Sequence, residues 1–174
     1  MPNPIEVHIY SYTVEIMINN VNILLVDDET ADLQLMQKMF SKSKVPHNVI
    51  LAHNGDEALE ILRKSSSEQD VPDLILLDIN MPGKDGNETL KIIKLDQYLR
   101  TIPVIMLTSS TNEQDVLNSY RDYANAYIQK PVGAKAMSEV IKKIEDFWFG
   151  LVIAAKEKQQ AKKINSGKLF FSSI

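Results

Sequence analysis

Asp73-Leu-Ile-Leu-Leu-Asp-Ile-Asn-Met-Pro-Gly-Lys-Asp-Gly86 decides how the chain folds, because the apolar run ending at Leu77 stops abruptly at Asp78 and gives way to turn residues. This pattern sets one carboxylate at the C-terminal lip of a buried strand. Upstream, Asn22-Ile-Leu-Leu-Val26 ends in Asp27-Asp28-Glu29; downstream, Pro103-Val-Ile-Met-Leu107 ends in Thr108-Ser109-Ser110, and a shorter run ends in Lys130-Pro131. Near-continuous apolar runs separated by helical patterns indicate parallel strands buried on both faces, and ligands of such sheets sit outside the strands' carboxyl ends. The chain thereby gathers three acids, a hydroxyl and a lysine at one edge.

Strand-like runs at 22–26, 47–52, 73–77, 103–107 and 126–129 alternate with helical stretches at 29–42, 55–64, 86–96, 112–121 and 134–149. Right-handed crossovers then specify an α/β doubly wound sheet, a flavodoxin-like (βα)5 fold with strand order 2-1-3-4-5. In the last helix Met137, Val140, Ile141, Ile144, Phe147, Trp148 and Leu151 form an apolar stripe. Ser110-Thr-Asn-Glu113 reads as a capping box opening the fourth helix.

At 174 residues and 44% hydrophobic content, the chain suits one core with extensions: residues 1–20, a body over 21–149 and a basic tail over 150–174. Residues 1–16 read either as translated sequence upstream of a start at Met17 or as an added edge strand. The tail predicts a solvated helical extension or disorder, with no output domain attached. It holds five lysines and one glutamate, leaving 14 basic and 22 acidic residues before it. The acidic body argues against general nucleic-acid binding, which relies on Lys and Arg neutralising phosphates. Zero cysteines exclude disulfides, thiolate nucleophiles and zinc-thiolate sites. No apolar run reaches the roughly 20 residues that span a bilayer, so no membrane contact and a cytoplasmic protein are expected. His8, His47 and His53 carry no motif spacing.

Asp27, Asp28 and Asp78 at neighbouring strand ends would repel one another unless a cation joined them. Hard oxygen donors without His or Cys select Mg²⁺ or Mn²⁺, and three carboxylates, Lys130 and one such ion balance in charge. This chemistry suits a phosphoryl group, with Asp78 as the nucleophile, Lys130 and the cation neutralising oxygens, Thr108 donating a hydrogen bond, and small Ser109 leaving access. Taken singly, each residue has an ordinary structural explanation: Asp-Asp before a helix complements its dipole, Thr108 caps, and Met81–Gly86 turns. Their joint placement on four strand ends is what carries the chemistry.

The constellation resembles the receiver domain of two-component response regulators, over residues 21 to about 149. Ile23-Leu-Leu-Val-Asp-Asp-Glu29 is similar to that family's acidic pair, Leu77–Gly86 to its phospho-acceptor loop, Leu107-Thr-Ser109 to its switch hydroxyl and Tyr127-Ile-Gln-Lys-Pro131 to its lysine motif. The resemblance implies that a histidine kinase or phosphotransfer protein phosphorylates Asp78. It also implies that Asp28, Asp78 and the Asn80 main-chain carbonyl ligate Mg²⁺, with Asp27 acting through water. Thr108 and Tyr127 would then switch the face made by the fourth helix, fifth strand and fifth helix (the α4-β5-α5 face in the family's usual count). Leu107–Tyr120, Ala124–Val132 and Ile144–Phe149 resemble the stand-alone regulators that partner bacterial phytochromes, a subgroup that tends to form a homodimer through that face; Tyr120, Tyr127, Phe147 and Trp148 would contribute there.

Three other classes compete. An aspartate-nucleophile phosphohydrolase of the haloacid-dehalogenase-like family carries a second Asp two residues after the first, where this chain has Asn80; slow autodephosphorylation beside Asn80 and Ser110 is what remains, so the chain is expected to be a phospho-acceptor with Mg²⁺-dependent self-phosphorylation rather than an enzyme. A DNA-binding regulator needs a helix-turn-helix for which the 25 residues after Phe149 show no pattern. A degenerate receiver would have lost a site group, and none is missing.

Overall fold

The computed structural model describes residues 20–65, 71–109, 124–156 and 158. Five parallel strands, β1 (Val21–Val26), β2 (His47–Ala52), β3 (Leu74–Asp78), β4 (Val104–Thr108) and β5 (Ala126–Gln129), form one sheet in the order β2-β1-β3-β4-β5. Helices α1 (Thr30–Phe40), α2 (Gly55–Lys64) and α3 (Gly86–Leu95) and a C-terminal helix beginning at Ala134 cover it. This is the flavodoxin-like architecture expected from the repeat. The fourth helical stretch at 112–121, its Ser110–Glu113 capping box, Tyr120, the alternation within residues 1–18 and the tail beyond Lys158 lie outside the described residues.

Strand alternation divides the core in two. Leu24, Val26, Ile75, Leu77, Val104 and Met106 pack with Leu59, Leu62, Leu90 and Ile93 of α2 and α3. Ile23, Leu25, Leu74, Leu76, Ile105 and Leu107 face Leu33, Met36 and Phe40 of α1 and Met137, Ile141 and Ile144 of the C-terminal helix. Every residue of β1, β3 and β4 is buried, whereas β2 and β5, the edges, are only partly so.

Gly86 fixes how closely α3 approaches the sheet. A Cβ there would stand 2.2 Å from the Asp78 carbonyl oxygen and 2.8 Å from the Ile79 Cα, so only glycine lets α3 begin against that backbone. Its N–H donates to the Ile79 carbonyl at 2.9 Å. One residue earlier, the Asp85 carboxylate accepts from the Glu88 N–H at 2.8 Å and the Glu88 carboxylate accepts from the Asp85 N–H at 3.3 Å, a reciprocal cap that ends the acceptor loop.

The C-terminal helix departs from the expected stripe. After Ile144 a single π-helical turn spans Glu145–Phe149, and helix resumes through Lys156. Widening the turn by one residue slips the phase. Phe149, absent from the expected stripe, is buried and stacks on Phe40 with ring centroids 6.2 Å apart, while Phe147 and Leu151 are 61% and 53% exposed. Trp148 is half-buried against the α1 side of the core, with Phe147 edge-on to it.

The helix beyond Gly150 is not merely solvated. Val152 and Ile153 pack on the core, and the Lys156 ammonium reaches Asp73 at 2.6 Å and the Asn20 carbonyl at 2.9 Å. Of the expected solvated helical extension or disorder, the described residues show helix through Lys156, with that lysine anchored to a carboxylate 83 residues away.

Phe149→Ala is expected to lower the unfolding free energy by about 3–5 kcal/mol, the usual cost of emptying a large aromatic site. Phe147→Ala should cost less than about 1 kcal/mol. Urea unfolding of the two variants checks the phase slip, and equal losses would contradict it.

Candidate functional site

Register alone assembles the site. Val26 pairs with Leu77, Asp78 with Leu107, and Thr108 with Gln129, so β1, β3, β4 and β5 end at one level. Their next polar residues, Asp27, Asp78, Thr108 and Lys130, therefore share a single edge. Two main-chain hydrogen bonds hold that edge: Ile79 N–H to the Leu107 carbonyl at 2.9 Å, and Lys130 N–H to the Thr108 carbonyl at 2.6 Å.

Asp27 and Asp78 are almost entirely buried, and Asp28 is exposed. Asp27 Oδ1 accepts from the Glu29 N–H at 3.0 Å, which turns the chain into α1. Asp78 Oδ2 accepts from the Asn80 N–H at 3.0 Å. The Asn80 side-chain amide donates to Thr108 Oγ1 at 3.2 Å, tying the acceptor loop to β4. Thr108 is fully buried, and Ser109 beyond it is exposed.

Lys130 bridges the acids. Its Nζ lies 2.6 Å from Asp27 Oδ2, 2.7 Å from Asp78 Oδ1 and 3.1 Å from Asp32 Oδ2. Burial opposes its charge, but hydrogen bonds to Asp27 and Asp78, reinforced by their negative charge, outweigh burial and hold its pKa above the ordinary lysine value. Burial likewise lifts Asp27 above the usual carboxylate range, against the pull of Lys130 and the Glu29 N–H.

Carboxylate oxygens of Asp27, Asp28 and Asp78 lie within 4.8 Å of one another. Three hard oxygen donors with no nitrogen or sulfur among them suit a divalent cation of the Mg²⁺ or Mn²⁺ type. The expected acids, hydroxyl and lysine are thus all brought together. Tyr127 stands apart on β5, beside the α2–α3 side of the core, with its hydroxyl buried and no hydrogen-bond partner among the described residues. Asp32 was not anticipated. It stands in the first turn of α1, where an acid ordinarily complements the helix dipole, and only its place five residues after Asp27 hinted at the same sheet edge.

Residues 23–142 match the family model described as the response regulator receiver domain. The chain belongs to that family. As a receiver it is similar to the response regulator Rcp1 of Synechocystis sp., 39% identical over 132 residues that make up 75% of this chain and 90% of that protein. It is also similar to the phosphorylated cyanobacterial phytochrome response regulator RcpA, at 42% identity and a TM-score of 0.69, covering 75% of this chain and 94% of that one. The Mn²⁺-bound form of Rcp1 superposes with a TM-score of 0.66 at 40% identity, covering 73% of this chain and 93% of that one. Receivers are phospho-acceptors, not enzymes in the usual sense; they take a phosphoryl group from histidine kinases or phosphotransfer proteins and bind a divalent metal. Among the described residues of this receiver, no helix is long and apolar enough to cross a membrane.

With divalent cations chelated, Lys130→Ala is expected to cost about 3 kcal/mol at pH 7, because it strands two buried carboxylates. Lys130 has a raised folded-state pKa, so its contribution is complete below pH 10.5 and is lost as pH rises through the folded value. Asp27 is also raised: its protonated form favours the fold below pH 3.8, and that benefit is gone once pH exceeds its folded value. Urea unfolding from pH 6 to 11 should therefore show the gap between wild type and Lys130→Ala constant at first and then narrowing above pH 10.5. A gap that widens instead would contradict the pairing.

Proposed function

We propose that this receiver accepts a phosphoryl group on Asp78 from a partner histidine kinase, of the phytochrome type, and signals through the face around β5. The observation that carries it is the Lys130 ammonium 2.7 Å from a nearly buried Asp78 whose neighbours are Asp27 and Asp28. An Asp78 carboxylate oxygen forms the new bond to phosphorus, the phosphorus–nitrogen bond of the donor histidine breaks, and the departing imidazole nitrogen takes up a proton. Transfer of this kind depends on positioning and on neutralising the phosphoryl oxygens.

Asp28, Asp78 and the Asn80 main-chain carbonyl would hold Mg²⁺, with Asp27 assisting, and the ion would supply positive charge to the phosphoryl oxygens. Lys130 supplies more from the β5 side. Thr108 hydrogen-bonds a phosphoryl oxygen, Ser109 leaves access to it, and Asn80 stands where a water approaches during autodephosphorylation. The same geometry permits self-phosphorylation from small phosphodonors.

The switch rests on Thr108 and Tyr127. Thr108 Oγ1 accepts from the Asn80 amide, which leaves its O–H to donate to a phosphoryl oxygen, and the buried Tyr127 hydroxyl lacks a partner among the described residues, a state that typically costs about 1–3 kcal/mol. The unpartnered Tyr127 hydroxyl thus favours a second arrangement, which phosphorylation selects from an existing equilibrium. The face they alter is the one around β5, and a homodimer through it is part of this reading.

Intact-mass measurement after incubation with a small-molecule phosphodonor and Mg²⁺ tests the acceptor. Wild type is expected to gain one phosphoryl group, which chelator prevents and Asp78→Asn abolishes; an adduct that survives in Asp78→Asn sinks the assignment. Lys130→Ala should still bind the cation yet fail to transmit. A phosphorylated Lys130→Ala protein with the normal change in Tyr127 environment, read by NMR, would contradict that role.

A further inference from the structure

The Lys130 ammonium has three donors, and three carboxylates take them: Asp27 at 2.6 Å, Asp78 at 2.7 Å and Asp32 at 3.1 Å. Two of these partners belong to the trio whose oxygens converge for a cation, and Asp32 does not. Lys130 therefore competes for the groups a cation needs, while one of its contacts lies outside the contest. Asp32 is fixed independently of that trio, because it sits in the first turn of α1 with its N–H bonded to the Glu29 carbonyl at 3.0 Å. Its side chain is 35% exposed, against 1% for Asp27.

We infer that Asp32 is a positioning residue for Lys130, retaining the ammonium beside Asp78 when Asp27 and Asp78 turn to a divalent cation, and so easing cation entry. The inference rests on the acceptor reading above. The Lys130 side chain is only 13% exposed, so an ammonium that simply lost two partners would be stranded at high cost. Without Asp32 it would hold on to Asp27 and Asp78 and oppose the cation. With Asp32 it keeps a charge-assisted hydrogen bond, and its flexible four-carbon stem lets the head swing toward α1 while staying near the acceptor. Asp32 acts through Lys130 and needs no contact with the cation or the phosphoryl group.

Mn²⁺ binding to the full chain, followed by the electron paramagnetic resonance signal of the free ion, tests this in wild type, Asp32→Asn, Lys130→Ala and the double variant. High ionic strength screens the long-range field of an exposed carboxylate and leaves effects relayed by contact. Asp32→Asn is expected to weaken Mn²⁺ binding roughly threefold to tenfold, as for coupled neighbours. In the Lys130→Ala background the same substitution should change binding by less than about twofold, since the intermediary is gone. Asp32→Ser, with far-UV circular dichroism on every variant, keeps the comparison valid if one substitution perturbs α1. Equal losses in both backgrounds, or no loss in either, would overturn this inference while leaving the acceptor reading intact. Absence of saturable Mn²⁺ binding in wild type would overturn the metal site and this inference with it.

Discussion

A half-buried ammonium held among carboxylates at the ends of parallel strands is the constraint around which this molecule is arranged. Asp27 and Asp78 are buried where the sheet ends, and buried carboxylates a few ångströms apart are tolerable only beside positive charge. Lys130 provides it from the far side of β4. The strand order is what makes this possible: β1 and β3 bring the acids together, and β5 delivers the lysine across Thr108. The arrangement is stable without being final, because the lysine and a divalent cation satisfy the same oxygens.

The backbone around this charge cluster is held on both sides of the acceptor, by close packing at α3 and by the Lys130 N–H to Thr108 carbonyl bond at 2.6 Å. Gly86 lets α3 start against the Asp78 carbonyl, and the Asp85–Glu88 cap closes the acceptor loop. On the β4–β5 side, the Asn80 amide donates to Thr108 Oγ1 at 3.2 Å, and the Tyr127 hydroxyl is buried without a partner among the described residues.

Much of this was legible in the sequence, for a physical reason. Buried parallel strands must be apolar throughout, so the point at which each run stops marks the sheet edge, and Asp27, Asp78, Thr108 and Lys130 stand at those points. What the pattern did not reveal depends on three-dimensional partners. Asp32 looks like any first-turn acid until Lys130, 98 residues later, comes alongside. Lys156 looks like a solvated tail residue until Asp73 meets it. Phe147, Trp148 and Phe149 in succession offer an aromatic to the core in any helical phase, and only the π-turn selects Phe149. Periodicity encodes faces; it does not encode a one-residue slip or a pairing across the fold.

The tie between Lys156, Asp73 and the Asn20 carbonyl has a practical consequence. It brings Asn20 and Lys156 side by side just outside the strands' amino ends, whereas the acidic cluster lies at their carboxyl ends. A fluorophore, an immobilisation tether or a fused reporter placed at either of these positions would leave the approach of a phosphate-bearing donor unobstructed. The same proximity marks these two positions as natural points for a short peptide joint in a circularly permuted version of the domain.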